Sequence, residues 1–112
     1  MSAKTILITG ASSGFGAACA RLLGNQGNRL ILSARRLEPL KAIRQELAGK
    51  AEVHIMQLDV RDRAAVRQAV ENIPQEFKAV DVLINNAGLA LGLLKLLHHG
   101  IGPAAMVPTL WI

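Results

Sequence analysis

The chain contains no tyrosine and one cysteine, and aromatic residues make up only 3% of its 112 residues. A lone cysteine, Cys19, cannot form an internal disulfide, which fits the reducing cytoplasm rather than a secreted, disulfide-rich scaffold. We therefore expect a cytoplasmic protein. At this length the chain has room for a single domain.

Acidic residues are also scarce: 13 Lys and Arg against 8 Asp and Glu give a formal net charge of +5. A basic chain can bind nucleic acid, but here the arginines are spread among predicted helices and aromatic residues are few. We interpret the charge as a solvated basic face and expect no nucleic-acid partner.

Three further features are missing from the sequence. No leader of charged and then apolar residues precedes the first strand, and the apolar segment Leu89–Leu97 is too short and too interrupted by Lys95 to cross a membrane. His54 stands alone, and on a helix the adjacent His98 and His99 point about 100° apart. We expect no signal peptide, no membrane partner and no metal site.

A glycine-rich turn directly after the first apolar strand is the most informative feature present. Ile6–Ile8 reads as a buried strand, and the glycines follow in the spacing Gly-x-x-x-Gly-x-Gly before an alanine-rich helix begins. Glycines let such a turn bend sharply and let its backbone approach a pyrophosphate, which the helix N-terminus then attracts. The pattern predicts a dinucleotide-binding turn; the alternative is an ordinary strand-to-helix turn.

Apolar strands and amphipathic helices alternate along the rest of the chain. The further predicted strands are Arg29–Ala34, Val53–Leu58 and Val80–Ile84, and the further helices are Leu37–Ala48 and one that Asp62 caps and Pro74 stops. This alternation predicts an α/β fold, a three-layer Rossmann-type doubly wound parallel sheet of about four strands in the order 3-2-1-4.

With these residues assembled, the chain resembles the N-terminal half of a short-chain dehydrogenase/reductase. Thr9–Gly16 matches the family pattern Thr-Gly-x-x-x-Gly-x-Gly, Asp59-Val60 matches its adenine-contacting segment, and Asn85–Gly88 matches its Asn-Asn-Ala-Gly segment. Within the family, the chain is most similar to the NADP-dependent 3-hydroxy acid (serine-type) dehydrogenases. We expect an NADP-binding Rossmann half-domain over residues 1–92 and a divergent apolar tail over 93–112.

The end of the second strand indicates which cofactor the chain prefers. An acidic residue there would accept hydrogen bonds from the ribose 2′-OH of NAD, but this segment reads Ser-Ala followed by Arg35 and Arg36, with no carboxylate before Glu38. Two guanidinium groups can bind the 2′-phosphate of NADP. We expect NADP; the alternative is that the arginines are only exposed residues at a helix start.

The resemblance also implies a set of cofactor-binding residues. The phosphates would be lined by the glycine-rich turn, the adenine by Asp59 and Val60, and the nicotinamide-side ribose by Asn86. An alternative for Asp59 is a helix-capping turn, and Asn85 is expected to be structural. The residues expected in the turn are Gly10, Ser12, Ser13, Gly14, Phe15 and Gly16.

No residue of this chain matches the catalytic residues that the resemblance implies. The family uses a Ser, a Tyr-x-x-x-Lys pair and an Asn, with the tyrosine acting as general acid and base, and this sequence has no tyrosine. We hypothesise a frameshift or early stop that leaves a non-native tail after residue 92. The alternative is a genuine short helix, Leu89–Leu97, which covers the sheet edge.

Three functions remain open at this point. The chain is a truncated part of an NADP-dependent oxidoreductase for alcohol or carbonyl substrates, inactive alone; or a non-catalytic module that senses NADP(H) or regulates a homologue; or an interaction fragment. For the third, the exposed fourth strand predicts association with a second copy, because an edge strand presents unpaired N–H and C=O groups.

Overall fold

A computed structural model describes residues 3–12, 14–86 and 108–111 of the chain. Ser13 and the predicted apolar helix Leu89–Leu97 lie outside the described residues. The elements in chain order are β1 (Thr5–Thr9), α1 (Gly14–Asn25), β2 (Arg29–Ala34), α2 (Leu37–Glu46), β3 (Val53–Gln57), α3 (Arg63–Glu71), a 3₁₀ turn (Gln75–Phe77), β4 (Val82–Asn85) and β5 (Thr109–Trp111).

The five strands form one parallel sheet in the order β3-β2-β1-β4-β5. The predicted order 3-2-1-4 is therefore confirmed, as is the α/β class. Because every strand runs the same way, the carboxyl ends of β1, β2, β3 and β4 lie at one edge of the sheet, where ligands bind in open parallel sheets.

A fifth strand corrects the predicted count of about four. β5 pairs with β4 in parallel, with Leu83 opposite Thr109 and Ile84 opposite Leu110, and the Leu83 N–H donates to the Pro108 carbonyl at 2.9 Å. The β4 edge that was expected to be exposed is thus covered by the same chain, which satisfies backbone groups that would otherwise lack partners.

Several predicted element bounds were wrong by one or two residues, including the end of β4, which is Asn85 rather than Ile84. β4 begins at Val82 rather than Val80, because the Val80 N–H closes a turn onto the Lys78 carbonyl. α2 ends at Glu46 rather than Ala48, where the Ala48 N–H bonds three residues back, to Gln45, and tightens the last turn. β3 ends at Gln57 rather than Leu58.

Helices cover both faces of the sheet, as a parallel sheet requires. On one face, α1 and α2 pack on Ile8, Leu30 and Leu32. On the other, α3 packs on Leu7 and Leu83. Burial of both faces holds the four strand ends in fixed register and so sets the positions of the turns that follow them.

The predicted cap of α3 is confirmed, because Asp62 Oδ1 accepts a hydrogen bond from the Ala65 N–H at 3.1 Å. Within the ranges that the structure describes, no helix is long and apolar enough to cross a membrane, and no cluster of three or more His, Cys, Asp or Glu side chains could hold a metal ion. Cys19, in α1, is half-buried.

Candidate functional site

The turn between β1 and α1 requires glycine at two positions for conformational reasons. Gly10 has a φ of 63° and Gly14 a φ of 57°, in the left-handed region that costs other residues energy. The chain can therefore leave β1, reverse direction and start α1 at Gly14.

Gly16 is needed for a different reason, namely the close approach of α1 to the rest of the site. A Cβ atom there would overlap the Gly10 carbonyl oxygen and would lie 2.7 Å from Asn86 Nδ2. The first turn of α1 thus sits against both the loop and the end of β4, as a glycine packed at a helix–sheet crossing allows.

The start of α1 suits an anion. Its first turn contains no acidic residue, and the first N–H groups of a helix have no partner within the helix and carry the positive end of its dipole. Ser12 is half-buried in the turn, and 59% of Phe15 is exposed at the helix start. These features fit a pyrophosphate, which would bind to backbone N–H groups here.

Arg35 and Arg36 follow β2 with their side chains exposed. Neither forms an ion pair with another residue in the described ranges, and the nearest carboxylate in sequence, Glu38, faces Lys41 at 3.6 Å. The same strand end is tied to the glycine turn, because the Ala11 N–H donates to the Ser33 carbonyl at 3.1 Å. Two guanidinium groups without an ion-pair partner in the described ranges therefore lie beside the glycine turn.

Asp59 follows β3 and is held by Arg61 in three hydrogen bonds. Oδ1 accepts from the Arg61 N–H and from Nε, both at 3.0 Å, and Oδ2 accepts from Nη2 at 2.9 Å. These bonds hold the pKa of the Asp59 carboxyl well below its usual range. The N-cap of α3 is Asp62, and Asp59 belongs to the turn before it, where Oδ1 accepts from the Arg61 N–H; the adenine role of Asp59 and the alternative of a turn at the helix start both stay predictions.

The two asparagines at the end of β4, Asn85 within the strand and Asn86 directly after it, have different partners. Asn85 is 1% exposed and accepts a hydrogen bond from the Thr9 hydroxyl at 2.9 Å. Asn86 reaches the glycine turn instead: its N–H donates to the Thr9 hydroxyl and its Nδ2 donates to the Gly10 carbonyl, each at 3.1 Å. Burial and this contact give Asn85 a structural role, while the half-buried Asn86 lies beside the turn.

An open cavity of about 470 Å³ lies over the carboxyl ends of β1, β2 and β3. It brings together six of the predicted residues from three separate turns. Its lining consists of Gly10, Ser12, Ser33, Ala34, Arg35, Arg36, Leu58, Asp59, Val60 and Arg61. The other described candidates, Gly14, Phe15, Gly16 and Asn86, lie outside this cavity.

Four lining residues were not predicted as site residues: Ser33, Ala34, Leu58 and Arg61. Ala34 and Leu58 directly precede predicted residues and Ser33 precedes Ala34, so the carboxyl ends of β2 and β3 already indicated these three. One feature of the sequence could have indicated Arg61: it lies two residues after Asp59, close enough for its side chain to donate to that carboxylate.

Known proteins are similar to this chain over the residues that form the site. The family model of the short-chain dehydrogenases matches residues 4–100. A sulfoacetaldehyde reductase of Chromohalobacter salexigens is 51% identical over 86 residues, which are 77% of this chain and 34% of the relative. An NADP-dependent 3-hydroxy acid dehydrogenase of Schizosaccharomyces pombe is 45% identical over 109 residues, 95% of this chain and 42% of the relative.

A solved structure is also similar to this chain in fold and in sequence. The crystal structure of a serine dehydrogenase from Escherichia coli superposes with a TM-score of 0.67 at 40% identity, covering 78% of this chain and 39% of that one. The chain thus spans between a third and about two fifths of the length of these relatives.

Proposed function

The chain belongs to the short-chain dehydrogenase family, and we propose that it is the NADP(H)-binding part of an oxidoreductase that acts on alcohol or carbonyl groups. One observation carries this proposal: the cavity of about 470 Å³ unites the glycine turn, the arginine pair and the Asp59-Val60 segment. Its volume lies within the ~300–1,000 Å³ usual for ligand pockets.

Each turn has a distinct task in this proposal. The glycine turn and the start of α1, Ser13 among its residues, bind the pyrophosphate through backbone N–H groups. Arg35 and Arg36 bind the 2′-phosphate, a task that their exposure and free guanidinium groups support. Asp59 and Val60 line the adenine, and Asn86, beside the turn, faces the nicotinamide-side ribose.

A bound nicotinamide would donate the hydride to a carbonyl group or accept it from an alcohol, and the residues of this chain would bind and orient the cofactor. None of them is a tyrosine that could exchange a proton with the substrate oxygen. We propose residues 1–92 as an NADP-binding Rossmann half-domain and 93–112 as a divergent apolar tail, within which Thr109–Trp111 adds β5 to the sheet. The alternative function, a nucleotide-binding module without catalysis, uses the same cavity.

The names of the relatives support the substrate class. They are a sulfoacetaldehyde reductase and a 3-hydroxy acid dehydrogenase, and their substrates are an aldehyde and an alcohol. The second name also states NADP dependence. Carried to this chain, these names favour a small substrate with an alcohol or carbonyl group.

Equilibrium dialysis of the purified 112-residue chain against NADPH tests the proposal. We expect saturable binding of one NADPH per chain, weakened by added salt because the 2′-phosphate contact is ionic. Gly16→Ala should weaken the binding of NADPH, because the added methyl group would displace the start of α1 from the Gly10 carbonyl. No saturable binding of either NADPH or NADH by a folded chain would contradict the proposed function.

Location and assembly belong to the same proposal. The single cysteine supports a cytoplasmic location. Association of two copies is supported by the outermost position of β5 in the described sheet and by Leu110, which is 53% exposed there. Size-exclusion chromatography with light scattering would measure the mass; a monomer at all concentrations would contradict self-association.

A further inference from the structure

Arg61 lines the cavity of about 470 Å³, but its guanidinium group is already paired with a carboxylate. Its guanidinium meets the Asp59 carboxylate in a two-bond fork, Nε to Oδ1 at 3.0 Å and Nη2 to Oδ2 at 2.9 Å. A guanidinium paired in this way offers less to a phosphate than a free one, such as that of Arg35. Arg61 therefore differs from the arginine pair that follows β2.

The hydrogen bonds limit what Asp59 can still accept. A carboxylate has about four acceptor positions, two on each oxygen. Oδ1 accepts from the Arg61 N–H and from Nε, and Oδ2 accepts from Nη2. One position, on Oδ2, is left, and Asp59 is itself a lining residue of the cavity.

We propose that Arg61 is a positioning residue for adenine: its guanidinium fixes the Asp59 carboxylate so that a single acceptor remains for the adenine amino group. This inference rests on the proposed function. The contact would select a base that donates a hydrogen bond to the Asp59 carboxylate. A base with a carbonyl at the same position would be repelled, because its oxygen and the carboxylate are both negatively polarised.

The hypoxanthine analogue of NADPH is a suitable probe, since it has a carbonyl in place of the amino group of adenine and a hydrogen on the neighbouring ring nitrogen N1. We expect the 112-residue chain to bind NADPH about tenfold more tightly than this analogue, the size of one hydrogen bond to a charged group. Titration of both nucleotides gives the ratio of their dissociation constants.

Arg61→Ala should bring this ratio to within about twofold of one, because a carboxylate without the fork can turn away from the carbonyl of the analogue and must be ordered before it accepts from the amino group. The Arg61 N–H still donates to Oδ1 in this variant, which preserves the turn. Arg61→Lys keeps the charge but cannot form the fork, and it should lose the selectivity as well.

Two controls make the result specific. Arg67→Ala removes the same charge from an exposed position of α3 outside the cavity and should leave the ratio unchanged. Asp59→Asn replaces an acceptor by an amide that can donate, and it should bring the ratio to one or reverse it.

An unchanged tenfold ratio in folded Arg61→Ala would overturn the inference while leaving NADPH binding intact. A ratio near one in the original chain would also overturn it. Failure of the original chain to bind NADPH at all would instead contradict the proposed function, and the inference with it.

Discussion

The side-chain amide of Asn86 donates a hydrogen bond of 3.1 Å to the carbonyl oxygen of Gly10, which joins the end of β4 to the turn after β1. A second contact runs beside it, from the Thr9 hydroxyl to Asn85 Oδ1 at 2.9 Å. The ends of these two neighbouring strands therefore form one hydrogen-bonded unit, and Gly16 packs directly on it.

Gly16→Ala should destabilise the protein by about 1–3 kcal/mol, the usual cost of forcing an extra methyl group into a packed site. The new Cβ would overlap the Gly10 carbonyl oxygen and push on Asn86 Nδ2, so both ends of the hydrogen bond must move. Urea denaturation measures the change. Equal midpoints for the variant and the original chain would show that α1 is not held against this unit.

Gly14→Val should weaken the binding of NADPH and NADH by the same factor. No atom lies within 4 Å of a Cβ added at Gly14, but its φ of 57° disfavours a β-branched residue, so the turn itself must change shape. Both nucleotides carry the pyrophosphate that this turn would bind. Titration of the variant with each nucleotide tests this expectation, and a selective loss of NADPH would contradict it.

The pH dependence of stability should contain a contribution from His54. Burial lowers the pKa of this side chain, as does Arg44, while Glu76 opposes the shift. A lowered pKa means that the unfolded chain binds more protons, so stability is lost as the pH falls below the unfolded value of about 6.5.

His54→Gln cannot titrate and should remove this contribution. We expect the melting temperature of the original chain to fall more steeply than that of the variant between about pH 7.5 and 5. His98 and His99 are present in both proteins and cancel in the difference. Parallel pH profiles would show that the pKa of His54 does not differ between the folded and the unfolded chain.

The sequence predicted the parts of the fold that follow from local patterns. Apolar runs predicted the strands, their alternation with helices predicted a doubly wound sheet with the observed strand order, and the glycine spacing predicted the turn in which Gly10 and Gly14 have positive φ. β5 was missed because three residues, Thr109–Trp111, carry too weak a pattern and pair with a strand more than twenty residues away.

The detailed contacts of the site could not be predicted in the same way. The fork between Arg61 and Asp59 depends on a side-chain conformation, and the Asn86–Gly10 bond depends on the register between β1 and β4. The arrangement of the cavity was easier to predict, because parallel strands necessarily place their following turns together.

The chain alone should not catalyse substrate-dependent oxidation of NADPH. Without a tyrosine, proton transfer loses assistance worth about 10²–10⁴-fold. Absorbance of NADPH in the presence of a small aldehyde or a 3-oxo acid measures turnover, and the Gly16→Ala variant serves as control for contaminating reductases. Turnover by the original chain that this variant lacks would contradict the expectation.

The ratio of the NADPH and NADH dissociation constants tests the central claim most directly, in the original chain and in the Arg35→Ala, Arg36→Ala double variant. Loss of two guanidinium groups should weaken NADPH binding at least about tenfold and leave NADH within about twofold. The control, Arg63→Ala with Arg67→Ala, removes the same charge from exposed positions of α3 and should leave the ratio unchanged. An equal loss for both nucleotides, or an unchanged ratio in the double variant, would contradict recognition of the 2′-phosphate by this arginine pair.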